Sequence, residues 1–353
     1  MFEVRDLEAC FRKNGQDYPA VTGLSYKIEH GEILGIVGES GCGKSISSLA
    51  LLGLLPKNCR VTNGIMRING EEYGDFSPEN LEDLRGDDIA MIFQEPMTAL
   101  NPLFTVGWQI GEAYEIHHPK ATKEEVRSVT YEIMRKVGLP RVEEVFFNYP
   151  HQLSGGMRQR VVIAMALINR PEVIIADEPT TALDVTIQAQ ILQLLQKLNQ
   201  EEGTSVILIS HDLGIIREIC DNVIVMYAGH VVESGNVDTI FANPQHPYTK
   251  GLIASIPSMA KKGEKLHTIR GTVPDLYLRN NGQCPFADRC DFATDCCRNS
   301  VPDMTDIGTH HVRCFLAKAA AQDAVTDAAG AAPQDAVTDA AGAAPQGTEA
   351  DHA

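Results

Sequence analysis

The sequence predicts an α/β fold built on a parallel sheet with helices on both faces. Three short segments, 32–38, 172–178 and 204–210, are uninterrupted apolar runs rich in β-branched residues, which is typical of strands buried on both faces. Between the last two segments, apolar residues recur at 187, 191, 194, 195 and 198, and the pattern ends at Gly203. This is helical spacing, and strands that alternate with helices favour a parallel sheet with crossover helices.

The chain beyond this core divides into three further parts. The stretch 221–235, DNVIVMYAGHVVESG, predicts a hairpin that turns at Ala228 and Gly229. Residues 259–318 are polar, turn-rich and Cys-rich, and we expect a small appended domain there. The segment QDAVTDAAGAAP occurs at 322–333 and again at 334–345. A repeat of Ala, Asp, Gly and Pro cannot bury a core, so a disordered tail is predicted over 319–353.

Composition excludes several classes of protein. The 353-residue chain carries a formal net charge of −17, which argues against broad binding to nucleic acid. No apolar run reaches the length of about 18 residues that a membrane-spanning helix needs, and the charged N-terminus is not a secretory signal. We therefore expect a cytosolic chain that reaches a membrane only through a partner.

The segment GESGCGKS at 38–45 fits the phosphate-loop pattern G-x-x-x-x-G-K-[ST] between a predicted strand and a predicted helix. Its glycines let backbone N–H groups converge on phosphates, and the following helix adds its positive N-terminal end. Lys44 can reach the β- and γ-phosphates, and Ser45 can ligate Mg²⁺. The predicted nucleotide-binding residues are Gly38, Ser40, Gly41, Cys42, Gly43, Lys44 and Ser45.

Two carboxylates, Asp177 and Glu178, end the predicted strand EVIIADE at 172–178. A carboxylate at the tip of a buried strand beside a phosphate loop suits Mg²⁺, which we assign to Asp177. The next residue, Glu178, can orient and polarise an attacking water.

A second anion site is predicted at LSGGMRQR, 153–160, where Ser154, Gly155 and Gly156 open a helix. A protein with one phosphate loop has little use for a second phosphate site of its own, so this one is expected to serve a nucleotide held by another subunit. With these motifs, residues 1–250 resemble the ATP-binding cassette (ABC) family. The resemblance implies a P-loop NTPase domain over 1–258 with a parallel core sheet, an antiparallel β subdomain and a helical subdomain at about 95–165.

The resemblance also implies roles for single residues. Gln94 in MIFQEP matches the glutamine that senses Mg²⁺ and contacts the membrane subunit, and with Ser45 and Asp177 it completes the expected Mg²⁺ ligands. Asp184 in TALD matches the D-loop aspartate, and His211 in LISHD matches the switch histidine that touches the γ-phosphate. Tyr18 lies where the family stacks an aromatic ring on adenine. The expected catalytic residues are Glu178, His211, Lys44 and Gln94.

Two longer stretches resemble the ATPase subunits of peptide and nickel importers, namely 93–110 (FQEPMTALNPLFTVGWQI) and 246–257 (HPYTKGLIASIP). The resemblance implies two membrane permease subunits, contacted near Gln94 and Trp108, and a second related ATPase subunit, although a homodimer stays open. It also implies an extracytoplasmic solute-binding protein and a place on the cytoplasmic face of the cell membrane. Di- and oligopeptides are the expected cargo, with nickel or another small solute as the alternative. An ATPase that acts on nucleic acid is the alternative from another class, and the acidic charge disfavours it.

The stretch QCPFADRCDFATDCC at 283–297 crowds four of the nine cysteines of the chain into 15 residues. A reducing cytosol disfavours disulfides. Intervals of five, six and sixteen residues between Cys284, Cys290, Cys297 and Cys314 match neither zinc-finger nor ferredoxin spacing. Spacing therefore leaves zinc, iron–sulfur and buried thiols open. The resemblance implies a [4Fe–4S] cluster on those four cysteines, with Cys297 preferred over Cys296 and zinc as the alternative.

Overall fold

The computed structural model describes residues 1–256 except Ala182, residues 268–308 and residues 310–317. The strands are β1 (Phe2–Lys13), β2 (Gln16–Ile28), β3 (Ile33–Val37), β4 (Cys59–Ile68), β5 (Glu71–Tyr73), β6 (Ile89–Ile92), β7 (Val173–Asp177), β8 (Ser205–Ser210), β9 (Asn222–Tyr227), β10 (His230–Asn236), β11 (Thr305–Asp306) and β12 (His310–Val312). The helices are α1 (Lys44–Leu51), α2 (Pro96–Ala99), α3 (Val106–His117), α4 (Lys123–Lys136), α5 (Val142–Val145), α6 (Gly155–Leu167), α7 (Val185–Glu202), α8 (Leu213–Ile219), α9 (Val237–Ala242), α10 (Pro247–Ala254) and α11 (Asp295–Asn299). Short 3₁₀ turns cover Pro150–Gln152, Leu276–Leu278 and Ala287–Arg289.

The core sheet has the strand order β6-β7-β8-β3-β9-β10-β12-β11. Strands β6, β7, β8, β3 and β9 run parallel to one another, whereas β10 pairs antiparallel with β9. Every residue of β3, β7 and β8 is buried, because both faces of this parallel sheet are covered by other elements. The three apolar segments of the sequence are therefore confirmed as strands, and the helical pattern between two of them is confirmed as α7.

A second sheet, with the order β2-β1-β4-β5, is antiparallel. Its inner face packs on α1 through a separate apolar cluster that includes Phe2, Leu24, Met66 and Leu51. The alternating burial of β1, with Phe2 and Val4 inside and Glu3 partly exposed, is typical of a sheet that is covered on one face. The predicted antiparallel β part is thus present, and it supports the helix that follows the phosphate loop.

Helices occupy the chain between β6 and β7. Thr105 and Thr122 begin α3 and α4 by accepting hydrogen bonds from the backbone N–H groups of Trp108 and Glu125, which stabilises a helix start by about 1 kcal/mol. This stretch, α2 to α6, lies where the helical subdomain is predicted. Each helix in the described residues is too short or too polar to cross a lipid bilayer.

The hairpin predicted at 221–235 is confirmed as β9 and β10, joined by Ala228 and Gly229. Both turn residues have positive φ, 47° and 90°, which is the conformation of the two-residue turns that match strand twist. The Gly229 N–H donates to the Cys42 carbonyl oxygen at 2.8 Å. The hairpin turn therefore touches the phosphate loop.

The region after residue 268 joins the core sheet. Strand β12 pairs antiparallel with β10, with Val312 opposite Glu233, so it covers backbone groups of β10 that would otherwise form a free edge. Cys284, Phe286 and Cys297 pack into the main apolar cluster. The sequence predicts an appended domain here, but a three-residue strand has no periodicity that could reveal this pairing. The boundary predicted at 258/259 and the tail predicted over 319–353 lie outside the described residues.

A buried carboxylate joins the two parts of the chain. The Glu233 side chain is fully buried and accepts hydrogen bonds from the backbone N–H groups of Gln245 at 2.6 Å and His246 at 3.0 Å. His310 on β12 lies 3.5 Å from the same carboxylate. Because negative charge is favourable at a helix N-terminus, Glu233 also stabilises the start of α10, where His246 is the cap.

Candidate active site

The phosphate loop connects β3 to α1, and four of its carbonyl groups accept hydrogen bonds from its own lysine, from Arg279 or from the hairpin turn. Lys44 Nζ donates to the carbonyl oxygens of Gly38 at 2.7 Å and Glu39 at 3.3 Å. Arg279 Nη2 donates to the Gly41 carbonyl oxygen at 2.7 Å, while Cys42 receives its bond from the hairpin turn. A loop whose carbonyls are held in this way can present N–H groups and the N-terminus of α1 to an anion.

Gly38 fixes the loop onto the sheet. Its φ is 155°, and a Cβ there would lie 2.2 Å from the Met226 carbonyl oxygen and 2.7 Å from Cys42 Sγ. No side chain fits in that space. Burial raises the pKa of the Cys42 thiol, so this cysteine is a neutral packing group in the loop.

Asp177, the last residue of β7, is 6% exposed. Burial raises the pKa of its carboxyl group, and a hydrogen bond from Ser45 opposes that rise. A hydroxyl and a buried carboxylate that already touch are a suitable oxygen donor set for Mg²⁺, because the cation would offset the cost of burying the charge.

Glu178 is the centre of a polar cluster formed by separate motifs. Its Oε2 accepts hydrogen bonds from Gln94 Nε2 and Thr181 Oγ1, both at 2.9 Å, and His211 Nδ1 lies 3.3 Å from the same atom. The structure thus brings together three of the four expected catalytic residues, Glu178, Gln94 and His211. Thr181 was missed, although its place three residues after Glu178 in a turn was a usable signal.

A cavity of about 330 Å³ lies over the phosphate loop. Residues 40–46, Gln94 and Glu178 line it, together with residues from other parts of the chain. Sequence reasoning missed five of the lining residues: Phe11, Ala20, Ile46, Leu276 and Arg279. Phe11 pairs with Tyr18 across β1 and β2. The register of a hairpin that turns at Asn14 and Gly15 could therefore have placed Phe11 opposite Tyr18 from the sequence. Leu276 and Arg279 come from the C-terminal region and have no local signal.

Tyr18, predicted to stack on adenine, is partly buried and is not one of the residues that line the cavity. Its ring packs edge-on against Tyr277, with centroids 4.8 Å apart and an angle of 83°. The adenine role of Tyr18 stays a prediction.

The second predicted anion site lies apart from the cavity. Ser154 begins α6 and accepts a hydrogen bond from the Met157 N–H at 3.3 Å, and both Ser154 and Gly155 are exposed. Asp184 begins α7 in the same way, with the Ile187 N–H as donor at 3.0 Å. A Cβ on Gly156 would lie 2.8 Å from Ile187, so these two helix starts are neighbours on the surface. The placement leaves them accessible to a nucleotide from outside.

The cysteines predicted as ligands are free thiols that influence one another. Cys284, Cys297 and Cys314 are buried, Cys290 is partly buried and Cys296 is exposed. Burial is the main cause that raises the pKa of Cys284 to about 11, and the charges of Cys297, Cys314 and Cys290 add to it. Among the described residues, however, no group of three or more His, Cys, Asp or Glu side chains is arranged to hold a metal ion. The metal assignment is therefore not confirmed.

Comparisons with known proteins cover both parts of the chain. The family model for "ABC transporter" matches residues 21–181, and the model for "Oligopeptide/dipeptide transporter, C-terminal region" matches residues 232–297.

The dipeptide transport ATP-binding protein DppD of Bacillus subtilis is 47% identical over 92% of this chain and 97% of that protein. The oligopeptide transport ATP-binding protein AppD of the same species is 46% identical over 90% of this chain and 96% of that protein. Among solved structures, a dimeric post-hydrolysis state of the ATP-binding cassette MJ0796 bound to ADP and Pi has a TM-score of 0.59 and 32% identity, and it covers 67% of this chain and 99% of its own.

The fold and the cavity define a P-loop nucleotide-binding protein with a carboxylate poised beside its phosphate loop. The chain belongs to the ABC transporter family, as a transport ATPase. This membership implies ATP and Mg²⁺ as substrate and cofactor, membrane permease subunits as partners and pairing of two cassettes.

Replacing Gly38 with Ala should damage the loop far more than replacing Gly41 with Ala. Gly38 has no room for a Cβ, whereas a Cβ on Gly41 meets nothing within 4 Å and only its φ of 78° is unfavourable. We expect Gly38→Ala to cost about 3 kcal/mol, which lowers the melting temperature by roughly 6–12 °C, and to abolish ATP binding. Gly41→Ala should cost about 1 kcal/mol and lower the melting temperature by about 2–4 °C. Equal losses in calorimetry would contradict the role of the Met226 contact.

Proposed function

We propose that this chain is the ATP-hydrolysing subunit of an ABC importer that takes up di- and oligopeptides through membrane partner subunits. The observation that carries the proposal is similarity over 92% of the chain, including the C-terminal region at 232–297 that lies outside the ABC transporter match. The relatives described above are named for dipeptides and oligopeptides rather than for nickel. Residues 1–258 would form the cassette and 259–318 the C-terminal domain.

Hydrolysis in this proposal depends on Glu178 as the residue that positions water. The contacts from Gln94, Thr181 and His211 all involve Oε2, so Oε1 remains available to a water molecule. A carboxylate oriented by fixed donors needs little reorganisation when the reaction begins. Lys44 would hold the phosphates, and Ser45, Asp177 and Gln94 would hold Mg²⁺, which neutralises charge on the transferred phosphoryl group.

Two cassettes would complete each other's sites. Ser154, Gly155 and Gly156 would bind the nucleotide that lies on the phosphate loop of the partner, with Asp184 beside them. The exposure of Ser154 and Gly155 and their separation from this chain's own cavity support that arrangement. The partner would be a related ATPase subunit or a second copy of this chain, and Tyr18 would flank the adenine.

The surface near Gln94 is proposed to contact the two permease subunits on the cytoplasmic face of the membrane. Large apolar side chains are exposed there: Phe93 is 38% exposed, Trp108 44% and Leu103 79%. The ring of Phe104 stacks on that of Trp108, with the ring centroids 4.0 Å apart. Exposed apolar patches of this kind are typical of protein interfaces. An extracytoplasmic solute-binding protein would deliver the peptide to the permease.

A [4Fe–4S] cluster on Cys284, Cys290, Cys297 and Cys314 remains our proposal, with zinc as the alternative. Its support is that four free thiols lie within electrostatic reach of one another and that three of them are buried. A positively charged core would relieve the repulsion between their thiolates. The group would supply cross-links that fasten a small region, and no electron-transfer step is proposed.

Glu178→Gln should leave nucleotide binding intact and lower ATP turnover by about 10²–10⁴-fold, since the amide retains the hydrogen bonds but cannot accept a proton. Phosphate release and ATP binding by the purified importer complex measure the two effects. Glu201→Gln, an exposed carboxylate on α7 with an ion pair to Lys197, is the matched control and should keep full turnover. Turnover in Glu178→Gln equal to that of the unmodified protein would contradict the role of Glu178.

Tagged protein should co-purify with membrane permease subunits from native membranes, and Trp108→Asp should release them because a charge cannot be buried in an apolar contact without a partner. Asp238→Lys on α9, far along the chain, is the control. Recovery of the tagged chain without any membrane subunit would contradict the importer proposal.

Anaerobically purified protein should be brown, with broad absorption near 400 nm of the kind expected for Fe–S charge transfer. Cys297→Ser should remove the colour and iron, whereas Cys296→Ser should retain both, because Cys296 is exposed and Cys297 is buried. Colourless protein that contains one zinc per chain and no iron would contradict the cluster in favour of zinc.

A further inference from the structure

The 276–279 turn, which consists of the 3₁₀ turn Leu276–Leu278 and Arg279, lies against the phosphate loop of its own chain. Leu276 and Arg279 line the same cavity as residues 40–46. Arg279 also donates to the Gly41 carbonyl oxygen across 238 residues of sequence. The turn lies far beyond the ABC transporter match at 21–181, so nothing in that family model describes these contacts.

A second contact fixes the C-terminal region to the same loop. Arg289, with its side chain 6% exposed, binds both carboxylate oxygens of Glu39, and the longer of these bonds, Nη2 to Oε1, is 3.0 Å. The Glu39 N–H donates to the Tyr248 hydroxyl at 3.0 Å. Paired bonds between guanidinium and carboxylate are strong and geometrically specific. The 276–279 turn therefore has a defined position over the cavity.

The walls of the cavity differ in chemistry from one set of residues to another. Phe11, Ala20 and Leu276 are apolar, whereas Lys44 and Arg279 are cationic. A nucleoside triphosphate has the same division between a flat base and an anionic phosphate chain. Since Lys44 belongs to the phosphate loop, the apolar group is the complement of the base.

Tyr277 holds the turn on the side of β1 and β2. Its ring packs edge-on against Tyr18, and Lys13 Nζ lies 3.9 Å from its centroid. Cation–π contacts of this kind stabilise exposed rings by about 0.5–1 kcal/mol. The turn is thus anchored on both sides of Leu276.

We propose that Leu276 contacts the base of the nucleotide bound to its own subunit, and that Arg279 positions the phosphate loop through the Gly41 carbonyl group. The inference rests on the proposed ATPase function and extends it, because it assigns part of the nucleotide site to the C-terminal region. Leu276 is then a binding residue, and Arg279 is a positioning residue.

Calorimetric titration of the full chain in the Glu178→Gln background tests both roles with two probes, ATP·Mg²⁺ and inorganic tripolyphosphate·Mg²⁺. Leu276→Ala should raise the Kd for ATP about tenfold. A base that covers about half of the Leu side chain gains roughly half of the free energy of burying a Leu, and the truncation removes this contribution. Its Kd for tripolyphosphate, which has no base, should stay within twofold. Leu278→Ala is the matched control, because Leu278 belongs to the same turn, is 80% exposed and does not line this cavity.

Arg279→Ala should weaken the binding of ATP and of tripolyphosphate by similar factors. Both probes bind to the phosphate loop through phosphates, and the substitution removes the hydrogen bond that holds this loop. Arg279→Lys keeps one donor for the Gly41 carbonyl group and should recover most of the affinity for both. Two results would contradict the positioning role of Arg279: a loss of affinity for ATP but not for tripolyphosphate in Arg279→Ala, or an affinity of Arg279→Lys as low as that of Arg279→Ala.

The Leu276 inference is overturned if Leu276→Ala changes the ATP affinity by less than twofold, or if it weakens ATP and tripolyphosphate equally. Tripolyphosphate binding also reports whether the loop is folded. If Leu276→Ala does not fold, Leu276→Gln, which keeps the side-chain length, replaces it with the same expectation. Failure of the unmodified protein to bind ATP would overturn the proposed function itself, and this result is distinct from a failure of the Leu276 variants.

Discussion

The close approach of Gly38 to the Met226 carbonyl oxygen is the constraint on which the nucleotide site depends. This contact places the phosphate loop against the end of β9. The hydrogen bond from the Gly229 N–H to the Cys42 carbonyl oxygen joins the loop to the turn that follows β9. Strand β3 lies between β8 and β9 in the sheet. The position of the loop is therefore set by the packing of three strands and needs no ligand to define it, which is the kind of preorganisation that makes an anion site effective.

The order of the parallel strands also explains why distant residues meet at Glu178. Strands β6, β7 and β8 are neighbours, and in a parallel sheet their carboxyl ends lie at one edge. Gln94 follows β6, Glu178 follows β7 and His211 follows β8. The Glu178 N–H bonds to the Ile209 carbonyl oxygen at 3.0 Å, and its φ of 46° departs from the strand conformation. Glu178 therefore lies at the cavity in a backbone conformation that is unfavourable for a residue other than glycine.

Sequence reasoning succeeded where the signal is local. The strands β3, β7 and β8, the helix α7 and the turn at Ala228 follow from periodicity and short patterns, because each pattern lies in one continuous stretch of the chain. It failed for Leu276 and Arg279, which line the cavity although they lie more than 200 positions after the phosphate loop. It also missed the pairing of β12 with β10, since three residues are too few for a period to be visible. Pairing between distant segments is a property of the folded chain, and single-sequence patterns do not encode it locally.

The C-terminal region bears on the phosphate loop through a continuous series of contacts. Strand β12 covers the edge of β10, and Glu233 on β10 holds the start of α10 through the N–H groups of Gln245 and His246. The Tyr248 hydroxyl on α10 then accepts a hydrogen bond from the Glu39 N–H, and Arg289 binds the Glu39 carboxylate. A buried carboxylate that loses its donors is costly, so loosening β12 would disturb α10 and, through Tyr248, the loop itself. The nucleotide site and the C-terminal region are consequently one structural unit, and a cassette cut before residue 268 would lack part of the support of its own phosphate loop.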